Sequence, residues 1–293
     1  MLLNIQIFFL SLPLAIAFAM IPSPTSIAPK RGAFIVLEGV DRCGKTTQCG
    51  LLLKHLLSLG LSANAIRFPD RTTSVGTLIN SYLQSSQNLD DRAIHLLFSA
   101  NRWEAVPTLK ENLAAGTTLI CDRYAHSGVA FSSAKESDLT VDWCKGPDIG
   151  LPSPDAVIFL NLSQDEAEQR GGYVLRYVPF IALYRIWLRR FCFPKDYISN
   201  SPFVFYSYGG ERYEKRDLQL RVRQRFNELQ EADDGKIPWH MIDAAQSMEA
   251  VTEDIVKAVN KVLEDVSQGK PLQKLWSDGV IELSGEKGDD VAA

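Results

Sequence analysis

One stretch, Phe34–Thr47 (FIVLEGVDRCGKTT), limits what this chain can become more than any other. A β-prone apolar run, Phe34 to Leu37, leads into Gly39-Val-Asp-Arg-Cys-Gly44-Lys45-Thr46, a fit to G-x-x-x-x-G-K-[ST]. A Leu-rich, helix-compatible segment follows from Gln48 to Leu59 and is closed by Gly60. Strand, glycine loop and helix in that order are the context a phosphate-binding loop requires. The glycines let the backbone curl so that successive N–H groups face an anion, and the helix N-terminus adds partial positive charge. In such a loop Lys45 reaches the β- and γ-phosphates and the Thr46 hydroxyl ligates Mg²⁺. The fixed letters recur by accident in on the order of 1% of chains this long, and the surrounding pattern lowers that further. The stretch is read as a nucleotide-phosphate site.

At 293 residues the chain has material for one large domain or two small ones. A net charge of −4 offers no basic surface for nucleic acid. Five cysteines (Cys43, Cys49, Cys121, Cys144, Cys192) are odd in number and lack C-x-x-C spacing, so they read as reduced, buried thiols. The histidines are scattered and form no metal motif.

Residues 1–29 carry no charged side chain and are strongly apolar from Ile5 to Ile21. The run has the character of a signal h-region, with Ala17-Phe18-Ala19 as a cleavage-like triplet, but no basic residues precede it. Pro13, Asn4 and Gln6 argue against a membrane span, and Met20, before a Pro/Ser/Thr linker, offers an alternative start. Residues 1–30 are expected to be a targeting or non-native leader outside the fold. A cytoplasmic or nuclear protein is the first expectation and a mitochondrial one the second.

From Arg31 onward strand and helix signals alternate. Strands are expected at Phe34–Leu37, Ser62–Phe68, Thr117–Cys121, Ala156–Leu162 and Trp239–Ile242. Helices are expected at Ser74–Leu83, Leu89–Leu113, Glu211–Leu229 and Met248–Leu263. In the longest helix Asp90 or Asp91 reads as N-cap, Gly116 as stop and Pro107 as a kink. The pattern predicts an α/β fold: a doubly wound, five-stranded parallel sheet flanked by helices on both faces, with ligands at the strands' carboxyl ends.

The polar clusters fall just after these strands. Arg67-Phe68-Pro69-Asp70-Arg71 follows the second. On the long helix Phe98 and Arg102 are four apart and share a face, a ring and a guanidinium suited to a pyrimidine. Phe98 also fits a core stripe with Ile94 and Leu97, but an unpaired Arg102 on that stripe would be costly. Asp122-Arg123 ends the third strand, where a carboxylate can hold a metal and an arginine can grip a second phosphate. Arg42 within the loop can reach a transferring phosphoryl group in cis.

Together these motifs resemble eukaryotic thymidylate kinase, a P-loop kinase. The resemblance rests on Gly-Val-Asp-Arg-x-Gly-Lys-Thr, Arg-Phe-Pro-Asp-Arg, His95–Trp103 (HLLFSANRW), Asp122–Phe131 (DRYAHSGVAF), Asp142-Trp143-Cys144, Gly150-Leu151-Pro152 and Glu211-Arg212-Tyr213-Glu214. It spans about Arg31 to Trp276. It implies transfer of the ATP γ-phosphoryl group to dTMP, with ATP and Mg²⁺ bound by Arg42, Cys43, Gly44, Lys45, Thr46 and Thr47. By the same resemblance Arg42, Lys45 and Asp122 are catalytic, and Thr46 and Asp122 hold the metal. Arg170 opens a lid over ATP, and Asp243 to Gln246 lie against adenine. Asp41 is expected near the acceptor's 3′-hydroxyl, Phe68 and Arg71 flank the acceptor, Phe98 stacks on thymine and Arg102 meets its edge. Arg123 holds the dTMP phosphate, Ser127, Gly128 and Phe131 line the pocket, and Tyr213 lies above it. The resemblance also implies a homodimer through helices beside the sheet. Two alternatives stay open: a kinase for another nucleotide, and a nucleotide-binding protein without turnover whose lid is disrupted.

The lid is where the chain departs from the family. Tyr173–Ser207 separates Gln169-Arg170-Gly171-Gly172 from Tyr208-Gly209-Gly210-Glu211, and excising it restores the family's lid length. The segment is crowded with aromatic residues and carries Arg176, Arg185, Arg189, Arg190 and Lys195 against one acid, Asp196. Those arginines break every apolar run long enough to span a membrane. A membrane-docking helix near Ile181–Phe193 weighs below the blander reading, retained-intron sequence. Residues 31–276 are thus expected to form one interrupted domain, with 277–293 an acidic flexible tail.

Overall fold

The computed structural model describes residues 31–171 and 212–283. The leader, the interruption 173–207 and residues 284–293 lie outside the described residues. Five strands, β1 (Phe34–Glu38), β2 (Ala63–Arg67), β3 (Thr118–Asp122), β4 (Ala156–Asn161) and β5 (Trp239–Asp243), form a sheet in the order β2-β3-β1-β4-β5. Every pairing is parallel, as the buried apolar runs required. β1 lies between β3 and β4, and the chain crosses from one side of β1 to the other between those two strands, so the crevice that forms beyond the carboxyl ends opens over β1.

Side chains alternate across the sheet. Ile35, Leu37, Ile120, Ile158 and Leu160 face α1 (Lys45–Ser58) and the last helix. Phe34, Val36, Leu119, Cys121 and Val157 face the long helix of Leu109 and Leu113 and the C-terminal segment, where Leu272 and Leu275 close the core. In between lie α2 (Ser74–Leu83), α3 (Asp91–Ala114), α4 (Ala125–Ser133), α5 (Val141–Lys145) and α6 (Gln164–Gly171). The chain resumes with α7 (Arg216–Ala232) and α8 (Met248–Ser267). Among the described residues no helix is long and apolar enough to cross a membrane. Four cysteines, Cys43, Cys49, Cys121 and Cys144, are buried free thiols.

The helix starts follow their caps. Thr73 accepts from Gly76 N, Asp90 from Arg92 N and Ala93 N, and Ser247 from Ala250 N. The long helix runs on through Pro107. The helix expected from Glu211 begins only at Arg216. Arg212 N instead donates to Leu83 O (2.9 Å), and Tyr213 O accepts from the Gln219 side chain (2.9 Å), so these groups are committed away from a helical ladder. The packed chain also continues past Trp276: Ile281 N donates to Leu272 O (2.7 Å), and Ile281 and Leu283 rest on the core.

At the foot of the sheet Arg31 pairs with Asp155 (2.7 Å), whose carboxylate also accepts from Phe34 N (2.9 Å). A second buried polar cluster fixes α3 against α4 and α5. His95 Nε2 donates to Cys144 O (2.9 Å), which leaves Nδ1 to accept from the Ser132 hydroxyl (2.8 Å). Burial first, and then the Arg102 charge, depress the pKa of His95, against a smaller opposing pull from Asp148. The folded state thus refuses a proton that the unfolded chain accepts below about pH 6.5. Stability attributable to this site is therefore complete above that value and falls as pH drops through it. Urea midpoints measured from pH 7.5 to 5 should decline, and His95→Gln, which keeps a donor for Cys144 O, should flatten that slope.

Candidate functional site

The loop after β1 is held by unusual backbone. Gly39 and Gly44 have φ of 144° and 98°, and Arg42, which has a side chain, sits at φ 67°. A non-glycine residue in the left-handed region costs on the order of 1–3 kcal/mol and survives where surrounding bonds over-determine it. Lys45 supplies such bonds: its ammonium donates to Gly39 O (3.0 Å) and Val40 O (2.6 Å), and lies 3.4 Å from Cys43 Sγ. Cys43 is buried beneath the loop, whereas Thr46 and Thr47 at the start of α1 are exposed.

Across the loop, β3 delivers Asp122. Its Oδ2 accepts from the Thr46 hydroxyl (2.6 Å) and faces Arg67 Nε at 3.6 Å, while Oδ1 is buried without a hydrogen-bond partner. A buried carboxylate oxygen left bare beside a hydroxyl fits a divalent cation. No group of three or more His, Cys, Asp or Glu suited to a metal exists among the described residues.

The next residue, Arg123, is also left-handed (φ 70°). Its Nη1 donates to Gly39 O (3.2 Å) and Ser127 Oγ (3.0 Å), its Nη2 pairs with Asp41 Oδ1, and the guanidinium lies 5.0 Å from the Phe131 ring centre. Burial opposes its charge, but Asp41, Asp122 and Glu38 together outweigh burial and raise its pKa. Arg123 is thus a fixed cation. One arginine links the loop, the β3 terminus and α4.

Glu38, which sequence reasoning missed, explains how α4 is oriented. Fully buried at the end of β1, its carboxylate accepts from Tyr124 N (2.9 Å), Ser127 N (3.1 Å) and the Ser127 hydroxyl (2.5 Å). It caps α4 from outside the helix, satisfying orphan N–H donors and the positive end of the dipole. The available signal was an acid closing an otherwise apolar, doubly buried strand.

The pocket beside α4 brings together most of the expected acceptor residues. Phe131 packs on Tyr213 (ring centres 5.6 Å apart), and Tyr213 on Tyr82 (6.1 Å). Phe98 is half-buried on the same cluster. Arg102 is only 2% exposed, and its Nε and Nη2 are committed to the buried Asp148 at 3.1 and 2.6 Å. The core reading and the pocket reading of Arg102 therefore meet: the charge is buried but paired. Its guanidinium lies directly behind Gly128, where an added Cβ would come within 2.8 Å of it. Phe68 is buried against Tyr124 (5.7 Å) ahead of a cis Phe68–Pro69 bond, and Arg71 donates to Asn80 Oδ1 (2.8 Å). Asn101, also missed, bonds both Asp70 N (2.7 Å) and Asp70 O (3.1 Å), fixing that loop.

Of the expected ATP-side residues outside the loop, Gln246 follows β5, is exposed, and donates to Asp243 O (3.2 Å). Nearby, Arg223 donates to Asn161 Oδ1 (2.8 Å) and Leu162 O (3.2 Å). The side chain of Arg170 lies outside the described residues. Arg212, where the described chain resumes, stacks over Tyr82 (4.3 Å) and donates to Tyr82 O (3.2 Å).

The family profile described as thymidylate kinase matches residues 37–174. A thymidylate kinase of Danio rerio is 44% identical over 247 residues, covering 84% of this chain and 98% of that protein. The chain belongs to the thymidylate kinase family. The Homo sapiens thymidylate kinase is 42% identical over 250 residues, 85% of this chain and all of that one. A solved thymidylate kinase from Candida albicans superposes with a TM-score of 0.62 at 30% identity, covering 84% of this chain and 98% of that chain. The enzyme's fold is that of this kinase family.

In this family setting Asp122→Asn and Arg123→Ala should each lower turnover by roughly 10²–10³, the usual cost of one electrostatic contact in a transition state. Steady-state assays with ATP and dTMP, paired with melting curves that show both variants folded, check this. Near wild-type rates in either would remove its assigned role.

Proposed function

We propose that the chain transfers the γ-phosphoryl group of ATP to dTMP, giving ADP and dTDP, with Mg²⁺. The observation that carries this is the single bonded unit formed by the phosphate loop, the Thr46–Asp122 pair and the Arg123–Ser127 pocket. These groups gather at the sheet's switch point, which supports reading them as a donor-phosphate site beside an acceptor site. Relatives 42–44% identical over most of the chain are named thymidylate kinases.

Phosphoryl transfer needs placement and charge neutralisation more than covalent chemistry. The loop's N–H groups, Gly44 and the threonines at the head of α1 cradle the ATP phosphates, and Lys45 exchanges its carbonyl partners for phosphate oxygens. Thr46 and Asp122 would hold Mg²⁺, which supplies charge neutralisation at the β- and γ-phosphates. Arg42 leans on the transferring group from within the loop. Arg123 holds the phosphate of dTMP against Ser127, Asp41 meets the 3′-hydroxyl, and Phe68 and Arg71 bound the acceptor from the β2 side. Phe98 stacks on thymine and Arg102 meets its edge, with Gly128 and Phe131 lining the pocket and Tyr213 above it. Arg170 and the loop at Gln246 serve ATP.

We further assign residues 1–30 and 173–207 to segments outside the catalytic unit. A closing lid moves as a compact body, and a long aromatic insertion hampers it. Release of ADP, measured with dTMP, dUMP, CMP and thymidine, should show dTMP as the best acceptor. A chain lacking 173–207 should exceed the full chain in rate and solubility. A CMP rate equal to the dTMP rate would overturn the acceptor assignment, and equal behaviour of the two chains would overturn the assignment of the insertion.

A homodimer is the third element of this reading. Leu96, Ala100 and Trp103 recur at i, i+4 and i+7 on α3 and are exposed, an apolar stripe on a helix beside the sheet. Sedimentation should show a dimer for the wild type and a shift to monomer for Trp103→Glu. A wild-type monomer would reject it.

A further inference from the structure

Gln219 is a glutamine where the fold has no local need for one. It lies near the start of α7, is 3% exposed, and its own N–H makes an ordinary bond to Lys215 O (3.0 Å). Glutamine is seldom so buried, and its amide must be satisfied there. The partners are specific. Oε1 accepts from Asp41 N at 3.1 Å, and Nε2 donates to Asp41 Oδ2 at 2.6 Å and to Tyr213 O at 2.9 Å. One amide thus grips the backbone and the carboxylate of the same loop residue, and ties both to the Tyr213 backbone.

The second oxygen of Asp41 goes to Arg123. With Oδ2 on Gln219 and Oδ1 on Arg123, the carboxylate is held at two corners, and its plane and direction are fixed. Without Gln219 it would pivot about the Arg123 contact. Its side chain is 28% exposed, so it has room to turn.

We propose that Gln219 is a positioning residue that sets the enzyme's discrimination at the 3′ position of the acceptor sugar, by aiming the Asp41 carboxylate. The inference rests on the reading that Asp41 meets the 3′-hydroxyl, and goes beyond it in naming what holds that carboxylate. A glutamine does this better than an acid would. A glutamate side chain in its place would set one carboxylate against another, whereas the amide donates to Asp41 Oδ2 and accepts from its N–H at once.

Calorimetric titration of the full chain with dTMP and with 3′-deoxy-dTMP, which carries hydrogen in place of the hydroxyl, tests this without reliance on turnover. The wild type should favour dTMP, and Asp41→Ala should abolish the preference. Gln219→Met, of equal length and apolar, should weaken dTMP binding about tenfold, the worth of a charge-assisted hydrogen bond, while leaving 3′-deoxy-dTMP nearly unchanged. Gln219→Glu should weaken dTMP further, and supplies a second variant should the first fail to fold, as melting curves will show. Adding Gln219→Met to Asp41→Ala should change nothing more. A Gln219→Met variant that loses both ligands equally, or keeps the full preference, overturns the proposal alone. A wild type without preference, or an Asp41→Ala variant that retains it, overturns the sugar reading and the proposal with it.

Discussion

Two carboxylates at the ends of neighbouring strands govern this structure. Glu38 closes β1 and Asp122 closes β3, in strands whose register places Leu37 beside Asp122, and both acids are buried. Ionised groups so placed are tolerable only with near-complete compensation. The compensation differs between them. Glu38 is saturated by α4, which fixes where that helix begins and how Ser127 points. Asp122 is left one oxygen short, with Thr46 and Arg67 on the other. One acid is spent on orienting a helix and the other keeps an unbonded oxygen at the loop.

From those two anchors the rest is a chain of short bonds. Arg123 touches the loop at Gly39 and Asp41 and helix α4 at Ser127. Asp41 passes the link to Gln219, and Gln219 passes it to Tyr213. The phosphate loop, α4 and the start of α7 are therefore mechanically one network. That suits a reaction whose catalysis is mainly geometry.

Much of this was legible in the sequence because local backbone demands dictate local letters. The glycine loop, the buried parallel strands and the capped helices were readable for that reason, and strand limits moved by only a residue or so. Helix α4 was not readable, since all nine of its residues are buried and it shows no amphipathic period. Glu38, Asp148 and Gln219 were missed for a different reason. Their partners lie 86, 46 and 178 positions away, and even the local signal at Glu38, an acid closing a buried strand, does not name a partner at that distance. Arg102 shows the boundary well. A charge on an apolar stripe demands a partner, but only the fold reveals that the partner is Asp148.

Gly128 carries a consequence for how such an enzyme can change its substrate over evolutionary time. With the Arg102 guanidinium packed directly behind it and that guanidinium locked to Asp148, a side chain at position 128 must displace an ion pair. Even alanine would come within 2.8 Å of the guanidinium, and drawing that charge off Asp148 strands it in the core. On the proposed reading of the acceptor pocket, change is easier at Phe98, Phe131 and Tyr213. Each of these rings can be trimmed or exchanged one step at a time.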